Sequence, residues 1–428
     1  MAEQLYFSRD SKCYIEFDGV VWEVPVLDGF SFSQGNNTSE IALTEMESAG
    51  GVSRRGRRAF NDSLAPGEWS LSTYVRPFAA ASGSATGTAD SAAKTHAVEE
   101  VLWAMMAGAD NYDITTFDFD RGGSNVITPA VGSSVVSFDQ SNKSTLGTAN
   151  IYFVLGDSSR SVIKLKDAVV GEATIDFEID GIATINWSGQ CSEVLDVTGS
   201  TIEDTVQPTN GDNTADGTAI AVGDVWLDSN DGYRLYVLTN VTGGNEASTT
   251  YVNEKITDTS NFIRNRLTTL TVTPTTQDPD SDGVNELQSS YNLTLTGGSI
   301  SISNNISFIT PEEIGIVNIP IGHVTGGRAV SGSFTCYLTR DVGGSFDSNK
   351  SRDLFEDLRS LTTVVTNSFA LVFSIGGSTG NRLELNCATA HLEIPTHSIE
   401  DVISLETSFM ALPQTIDDTD EVVLTYKV

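Results

Sequence analysis

The chain has few cysteines, few aromatic residues and no long apolar run. Its cysteines, Cys13, Cys191, Cys336 and Cys387, lie far apart and form no C-x-x-C pair, which favours buried thiols over a zinc site or a disulfide framework. No apolar run of about 18 residues occurs, so we expect no membrane-spanning segment. Residues 1–4 lack the basic and apolar regions of a signal peptide, so we expect folding in a cytoplasm.

Basic residues are also scarce. The chain has 24 Lys and Arg against 57 Asp and Glu, a formal net charge of −33 at pH 7. This balance argues against a protein that grips nucleic acid, because phosphate contacts need clustered cations. It is compatible with a protein along which DNA must pass, since like charges repel within a Debye length of about 8 Å. It is equally compatible with acidic residues that only keep a β-rich protein soluble.

The sequence contains no recognisable catalytic or cofactor motif. The four histidines have no partner serine or cysteine in a nucleophile elbow, and no H-E-x-x-H, Walker loop or G-x-G-x-x-G after a strand is present. His391 and His397 are close in sequence, but Pro395 between them favours an ordinary loop over a metal pair. We therefore expect a protein that is not an enzyme and uses no cofactor.

What the chain does contain is a series of segments that recurs in the same order in both halves. Two period-2 strands come first, a helix follows, and an apolar strand, a short strand and a closing strand complete the series. The segments of the first half are 29–34, 68–76, 96–105, 151–155, 163–165 and 182–187; those of the second half are 298–303, 333–340, 352–361, 369–373, 383–385 and 402–407. A duplicated domain often supplies pseudo-symmetric subunits to a larger assembly.

The two helices and the segment lengths refine this correspondence. The apolar stripe of an amphipathic helix is present in both halves, as Val98, Leu102 and Met105 and as Leu354, Leu358 and Leu361. Residues 79–92 and 110–149 lengthen the first half, and we interpret them as loops.

The order of segments predicts a mainly β protein with two tandem domains and a small β insert. We place the first domain at residues 1–198, a linker with a β-hairpin insert at 199–262, and the second domain at 263–428. In the insert, Ser229-Asn230-Asp231-Gly232 separates two apolar runs. This pattern predicts a hairpin, because Asn and Gly tolerate positive φ.

An acidic loop in the second half has the oxygen spacing of a calcium site. Its acidic residues are Asp278, Asp280, Asp282 and Glu286. Ser289 stands where an EF-hand has its bidentate glutamate, and Pro279 is unusual in such a loop. An Asp- and Gly-rich turn between two strands explains the same residues. We therefore predict no metal site, with calcium as the alternative.

Four basic residues lie together in one loop between two predicted strands: Arg54, Arg55, Arg57 and Arg58. A loop this basic on so acidic a chain fits docking on the acidic surface of a neighbouring copy, because arginine favours interfaces. A solvated flexible loop and a nucleic-acid contact are the alternatives.

Together these elements resemble the tail tube domain of long-tailed bacteriophages. The resemblance rests on element order in both halves: strands around 26–32, the loop with the four arginines, the strand 69–75, one helix and the hairpin 175–183. It implies two tandem β-sandwich or barrel domains of tail tube type, each with one flanking α-helix. Single-domain members form hexameric rings around a channel, and duplicated members similar to this chain form trimers with pseudo-sixfold symmetry.

The resemblance implies a structural virion protein. As a tail tube subunit, the chain would form stacked rings whose acidic channel conducts phage DNA during ejection without binding it specifically. The lumen-lining candidates are Asp176, Glu178, Asp180, Glu400, Asp401 and Glu406, the first three of which share one face of a period-2 strand; an outward-facing acidic strand is the alternative. The implied partners are further copies of the chain, a tape-measure protein, tail terminator and baseplate proteins and, in a contractile tail, a sheath. The implied location is the virion tail, assembled in the host cytoplasm and away from any membrane.

Two other functions fit the same residues. A phage baseplate hub or distal tail protein uses this domain in a single ring and does not polymerise with itself. A non-viral surface protein built of β-domains is disfavoured by the missing signal peptide, and a calcium-binding adhesin of that kind would lose stability in EDTA.

Overall fold

The computed structural model describes residues 5–42, 57–79, 93–138, 146–241, 246–251, 261–311, 318–340, 349–361, 367–415 and 418–428. Over these residues the protein is mainly β, as predicted, with two α-helices, α1 (Glu100–Ala107) and α2 (Ser351–Ser360). No helix within the described ranges is long and apolar enough to cross a membrane.

The strands fall into three groups along the chain. The N-terminal half contains β1 (Ser11–Phe17), β2 (Val20–Glu23), β3 (Ser31–Ser33), β4 (Asn36–Ala42), β5 (Arg57–Leu64), β6 (Gly67–Tyr74), β7 (Pro77–Ala79), β8 (Thr95–Ala97), β9 (Asn111–Asp113), β10 (Asp118–Arg121), β11 (Ser124–Ala130), β12 (Ser133–Val136), β13 (Ala149–Leu155), β14 (Ser161–Glu178), β15 (Thr184–Cys191) and β16 (Glu193–Asp196). The insert contains β17 (Thr201–Asp204), β18 (Val225–Asp228), β19 (Arg234–Asn240), β20 (Glu246–Ala247) and β21 (Thr249–Tyr251). The C-terminal half contains β22 (Thr269–Pro274), β23 (Tyr291–Asn292), β24 (Leu295–Ser303), β25 (Ser307–Ile309), β26 (Gly322–Val324), β27 (Ala329–Tyr337), β28 (Phe369–Ile375), β29 (Arg382–Leu392), β30 (Thr396–Ser398), β31 (Ser404–Ala411) and β32 (Val423–Lys427).

The main strands of the two halves have matching orders of neighbours. In the N-terminal half the order is β2-β1-β13-β14-β15-β6-β3, and β16 also pairs with β14. In the C-terminal half it is β23-β22-β28-β29-β31-β27-β24, and β32 also pairs with β29. All of these pairs are antiparallel. The helix of each half follows β6 or β27 in the chain and precedes β13 or β28.

Alternation of apolar and polar residues places these strands over a core. In β31, Leu405 and Phe409 are buried whereas Glu406 and Ser408 are exposed, the pattern of an antiparallel strand with one face on the core. The core is continuous through both halves. The Phe177 ring of β14, for example, lies 5.8 Å from the Phe373 ring of β28, centroid to centroid.

Among the described strands, two pairs join the halves: β14 with β24, and β12 with β32. The second pair corrects our interpretation of residues 110–149 as a loop, because β9 to β12 form a meander within them. Gly122 and Gly123, at φ 57° and 87°, close the turn between β10 and β11, where a side chain would be strained. Ile127 and Val136 are then buried in the core. Of the other expected loop, residues 80–92 lie outside the described residues.

Helix α1 also differs from the prediction. The expected start, His96, lies in β8, and the helix begins only at Glu100. All of its residues are buried, so it is not the amphipathic helix that the stripe suggested. It ends at Gly108, whose φ of 87° lets its N–H reach the carbonyls of Ala104 and Met105.

The insert forms the predicted hairpin and covers one side of the N-terminal half. β18 and β19 pair antiparallel, with Gly232 and Tyr233 at φ 60° and 58° in the turn. Apolar side chains of β18 and β19 pack on the outer face of β1, β2, β13 and β14; these residues are Tyr14, Val21, Tyr152, Val154, Val162, Val225, Leu227, Leu235 and Val237. β21 extends the same sheet by pairing in parallel with β2.

The four cysteines are free and buried, as the sequence indicated. Burial is the main reason that the pKa values of Cys191, Cys336 and Cys387 rise to about 12. These thiols are therefore protonated and unreactive at neutral pH.

Candidate functional site

One sheet surface runs through both halves and gathers several of the acidic residues that the sequence singled out. Successive antiparallel pairs connect the strands in the order β3-β6-β15-β14-β24-β27-β31-β30. One face of this series packs on the core, with Ile175, Ile185 and Ile300 fully buried. The opposite face is open to solvent, and we call it the polar face.

The polar face consists of the alternate side chains of these strands. They are Ser31, Ser33, Glu68, Ser70, Ser72, Tyr74, Thr184, Asn186, Ser188, Gln190, Glu172, Thr174, Asp176, Glu178, Gly297, Ser299, Ser301, Ser303, Ala329, Ser331, Ser333, Thr335, Tyr337, Ser404, Glu406, Ser408, Met410, Thr396 and Ser398. The set is dominated by hydroxyl and carboxylate groups and contains no lysine or arginine.

Short side-chain hydrogen bonds tie neighbouring strands together across the polar face. The Ser72 hydroxyl donates to the Asn186 Oδ1 at 2.7 Å, and the Asn186 Nδ2 donates to the Asp176 Oδ2 at 2.7 Å. The Ser301 hydroxyl of β24 donates to the Glu172 Oε1 of β14 at 2.6 Å. The last bond crosses from one half of the chain to the other, so the polar face is continuous over the junction.

The charged side chains of the polar face are all acidic. Burial is the main reason that the pKa of Asp176 is raised; the Glu178 carboxylate raises it further, whereas the Asn186 hydrogen bond lowers it. Carboxylates held near one another without cations repel a polyanion. The polar face therefore carries negative charge and has no lysine or arginine that would pair with a phosphate.

The predicted lumen-lining acids divide into two groups in the structure. Asp176, Glu178 and Glu406 lie on the polar face. The other three lie in exposed bends beyond the strand ends: Asp180, Glu400 and Asp401. The Asp180 carboxylate is 3.8 Å from the Arg266 guanidinium.

Sequence reasoning missed two acids of the polar face, Glu68 and Glu172. Each alternates with buried residues, Glu68 with Trp69 and Glu172 with Ala173. The same period-2 rule that identified Asp176 would have found Glu172, because Glu172 alternates in phase with Asp176 and the bulge of β14 lies just before it.

A shallow groove of about 460 Å³ indents the polar face at one end. Ser31, Glu68, Ser70, Glu172, Ser188 and Ser303 are among the residues that line it. Gly189 also lines it and packs against Trp69, where an added Cβ would come within 2.7 Å of the ring. The groove presents hydroxyl and carboxylate groups and belongs to the polar face.

The basic loop falls partly within the described residues. Arg57 and Arg58 lie at the start of β5, which pairs with β4, whereas Arg54 and Arg55 lie outside the described residues. The Arg57 guanidinium is 3.3 Å from the Glu40 carboxylate across the ribbon. Most residues of β5 are exposed, so this ribbon projects from the core.

The acidic loop of the C-terminal half brings its four carboxylates together. One oxygen from each of Asp278, Asp280, Asp282 and Glu286 lies within 4.8 Å of the others. The Asp278 carboxylate accepts the backbone N–H groups of Asp282 at 3.1 Å and Gly283 at 2.9 Å. Bonds of this kind are typical of turns that begin with aspartate. The turn stays our prediction, with calcium as the alternative.

The chain is similar in sequence to a known phage protein. No protein-family model matches the chain. Over 404 residues, which are 93% of this chain and 69% of the relative, the sequence is 28% identical to the tail tube protein pb6 of Escherichia phage T5. The chain is a relative of a phage tail tube protein. The resemblance stated from the order of the sequence elements is thereby confirmed.

Proposed function

We propose that this tail tube relative is a structural subunit of a phage tail, which assembles with itself into a tube. The observation that carries the proposal is the polar face: a continuous sheet surface without cations that spans both halves of the chain. The similarity to a tail tube protein over 93% of the chain supports it. The role is structural, without catalysis or cofactor.

The chain forms rings of three subunits. We infer that residues 1–198 and 263–428 are two copies of one tail tube domain, and that residues 199–262 are a linker and insert between them. The matching order of strand pairs in the two halves supports this inference. Three chains then supply six similar domains, and closure of the ring pairs the sheet edges that a single chain leaves open.

The polar face lines the channel of the ring. Its carboxylates, which belong to Glu68, Glu172, Asp176, Glu178 and Glu406, keep DNA from adhering during ejection. Negative charge at the strand ends adds to this repulsion and comes from Asp180, Glu400 and Asp401. The insert packs on the outer sheet of the N-terminal half and would decorate the outside of the tube.

The ribbon of β4 and β5, with the basic loop at Arg54 to Arg58, connects one ring to the next. Arg57 and Arg58 begin β5, and Arg54 and Arg55 precede them in the sequence, outside the described residues. The chain that receives these arginines carries a net charge of −33. The base of the ribbon contacts the segment between β25 and β26 of the C-terminal half: the Leu64 N–H donates to the Asn318 carbonyl at 2.8 Å. The end of β5 and Asn318 therefore lie side by side.

The remaining partners follow from this role. They are a tape-measure protein inside the growing tube, tail terminator and baseplate proteins at its ends and, if the tail contracts, a sheath around it. Assembly takes place in the host cytoplasm, and the mature protein is part of the virion tail.

Negative-stain electron microscopy of the purified chain over a range of concentrations tests the proposal. We expect threefold rings that stack into tubes as concentration rises. Rings that never stack would identify a hub or distal tail protein instead. Monomers at every concentration would contradict a tube-forming role.

The stacking role of the hairpin has its own test. Replacing Arg54, Arg55, Arg57 and Arg58 with serine should shorten the tubes and leave single rings intact, because only the contact between rings loses its cations. Serine at four exposed arginines elsewhere changes the net charge equally and serves as the control: Arg9, Arg264, Arg266 and Arg359. Equal tube lengths in both variants would contradict the assignment.

A further inference from the structure

The junction between the two halves is a complete sheet contact within one chain. β14 pairs antiparallel with β24, from Glu172 opposite Ser303 to Glu178 opposite Gly297. On the core side of this junction, Ile175 lies opposite Ile300, and both are fully buried. On the polar face, Asp176 lies opposite Ser299.

The strand pairs give each β14 residue of this junction an equivalent in the C-terminal half. Thr184 of β15 pairs with Tyr74 and with Asp176. Ser404 of β31 pairs in the same way with Tyr337 and with Ser398. Ser398 is therefore the equivalent of Asp176. Counting along the strands makes His397 and Ile399 the equivalents of Ile175 and Phe177.

The β24 side of the junction has equivalents in the N-terminal half. Ser299 of β24 pairs with Ser333, and Ser31 of β3 pairs with Ser70. Ser333 and Ser70 occupy equivalent places, because β27 pairs with β31 as β6 pairs with β15. Ser31 is thus the equivalent of Ser299. Phe32 and Phe30 are then the equivalents of Ile300 and Gly298.

Both of these equivalent strands have an open edge. Among the described strands, β30 pairs only with β31, and β3 pairs only with β6. His397 is exposed and Ile399 is 79% exposed, whereas their equivalents Ile175 and Phe177 are 0% and 2% exposed. An apolar residue is thus left in water at the place where the junction within the chain buries one.

We propose that the junction within the chain is the template for the contact between chains. The β30 edge of one chain pairs antiparallel with the β3 edge of the next, in the same register: Ser398 opposite Ser31, His397 opposite Phe32, and Thr396 opposite Ser33. Ile399 then lies opposite Phe30. This inference rests on the proposed ring assembly and specifies its interface.

The side chains at the proposed contact complement one another in size. Within the chain, the Phe177 ring fills the space left by Gly298, where an added Cβ would come within 2.7 Å of the ring. Between chains, the smaller Ile399 faces the larger Phe30, which is already stacked on Phe153 with 4.8 Å between centroids. The larger side chain lies on β14 in the junction within the chain and on the β3 side in the contact between chains. Pairing of the two edges buries the exposed Ile399.

The contact between chains has less support than the one within the chain. Pairing of β12 with β32 reinforces the junction within the chain, and the described residues between α2 and β28 contain no strand that repeats it. Within the described residues, the proposed contact between subunits consists of the β30 and β3 edges. Pro395 beside β30 fits such an edge, because proline there limits pairing with the wrong partner.

Engineered disulfides test the register. The double variant S31C/S398C should form covalent dimers and trimers on oxidation of assembled rings, because directly opposite residues lie within the Cα distance that a disulfide needs. S33C/S398C, two residues out of register on the same face, should not, because diagonal neighbours are about 7–8 Å apart. D176C/S299C, the matched pair within the chain, should close inside the monomer and shows that the geometry permits a bond.

A second pair of variants tests the apolar contact without disulfide chemistry. I399D should raise the concentration at which rings form about tenfold or more, whereas V402D, a change at another exposed position beyond the paired segment, should leave it unchanged. Both residues are exposed in the single chain, so both variants should keep its circular dichroism and melting temperature.

The outcomes separate this inference from the proposed function. Rings that give covalent dimers and trimers only for S31C/S398C support the register. Rings that give no covalent oligomers, or that give them equally for S33C/S398C, overturn the register but leave a ring-forming protein. The absence of rings in the unmodified chain overturns both.

Discussion

The two helices occupy equivalent places in the two halves but have opposite surroundings. Every residue of α1 is buried, with Trp103 and Met105 at 0% exposure, whereas Glu356 and Arg359 of α2 are exposed. The difference comes from what covers them. The β9–β12 meander follows α1 in the chain, and its last strand pairs with β32.

The strands that pair in each half and the segments that cover the core are thus different parts of the chain. The paired strands are alike in both halves. The meander, however, belongs to the N-terminal half, and the insert packs on β1, β2, β13 and β14 of that half. Tyr426 of β32 also reaches back to α1, where its hydroxyl accepts the Trp103 indole N–H at 2.6 Å. The C-terminal strand therefore completes the core around the first helix as well as its own sheet.

The largest expected effect comes from Trp103 itself. W103A removes a fully buried indole that lies 4.7 Å from the Trp187 ring and should lower the free energy of unfolding by about 3–5 kcal/mol. F355A on α2 is the matched change, since Phe355 is half-buried, and it should cost about 1 kcal/mol. Urea unfolding measures both, and equal losses would show that the two helices are equally covered.

The second prediction concerns pH and Glu99, which precedes α1. Burial raises its pKa to about 7, although the Tyr426 hydroxyl, which donates to its Oε1 at 2.7 Å, opposes the rise. Because the folded-state pKa is above the unfolded value of about 4.5, the contribution of Glu99 to stability is fully present below pH 4.5 and is lost as pH rises through 7. The loss is on the order of 3 kcal/mol.

E99Q tests this contribution because glutamine does not ionise. The melting temperature of the unmodified chain should fall as pH rises from about 4.5 to about 7, and E99Q should lose much of that fall. E356Q on the exposed face of α2 is the control and should keep the pH dependence of the unmodified chain. If E99Q and E356Q have the same pH dependence, Glu99 is not the group responsible.

Sequence patterns predicted the strands better than their surroundings. Period-2 alternation identified β6, β24 and β27, because each has one face on the core and one in water. The repeated order of segments predicted closing strands that overlap β15 and β31. Alternation also placed Asp176 and Glu178 on one face. These features depend on neighbouring residues along the chain, and a single sequence contains that information.

The features that sequence reasoning missed depend on distant contacts. Nothing local to residues 110–149 indicates that β12 pairs with a strand at the C-terminus. The apolar stripe in α1 suggested that its other side is exposed. The structure buries the whole helix, and Tyr426 of the distant strand β32 contacts it. Asp180 and Asp401 could not be separated from Asp176 by alternation alone, since the charges continue past the point where the strand ends.

The third prediction sharpens the comparison at the junction between the halves, where two adjacent glycines differ. An added Cβ at Gly298 would lie 2.6 Å from the Ser333 carbonyl oxygen and 2.7 Å from the Phe177 ring, whereas at Gly297 the nearest atom is 3.5 Å away. G298A should therefore cost about 1–3 kcal/mol through overpacking, and G297A much less. Urea unfolding of both variants is the measurement, and an equal effect of the two would mean that the junction tolerates rearrangement.

The smallest effect is expected where the two halves differ in their projecting hairpins. Arg57 and Glu40 are 74% and 52% exposed at the side chain, so R57S should change the free energy of unfolding of the monomer by less than about 1 kcal/mol. In the other hairpin, the buried His323 Nε2 accepts the Leu146 N–H at 2.8 Å, and H323A leaves that donor without its acceptor, at a cost of about 1–3 kcal/mol. Thermal unfolding of the two single variants separates a hairpin that is held by the core from one that is free to serve assembly. A loss for R57S as large as that for H323A would mean that the arginine ribbon is also part of the fold.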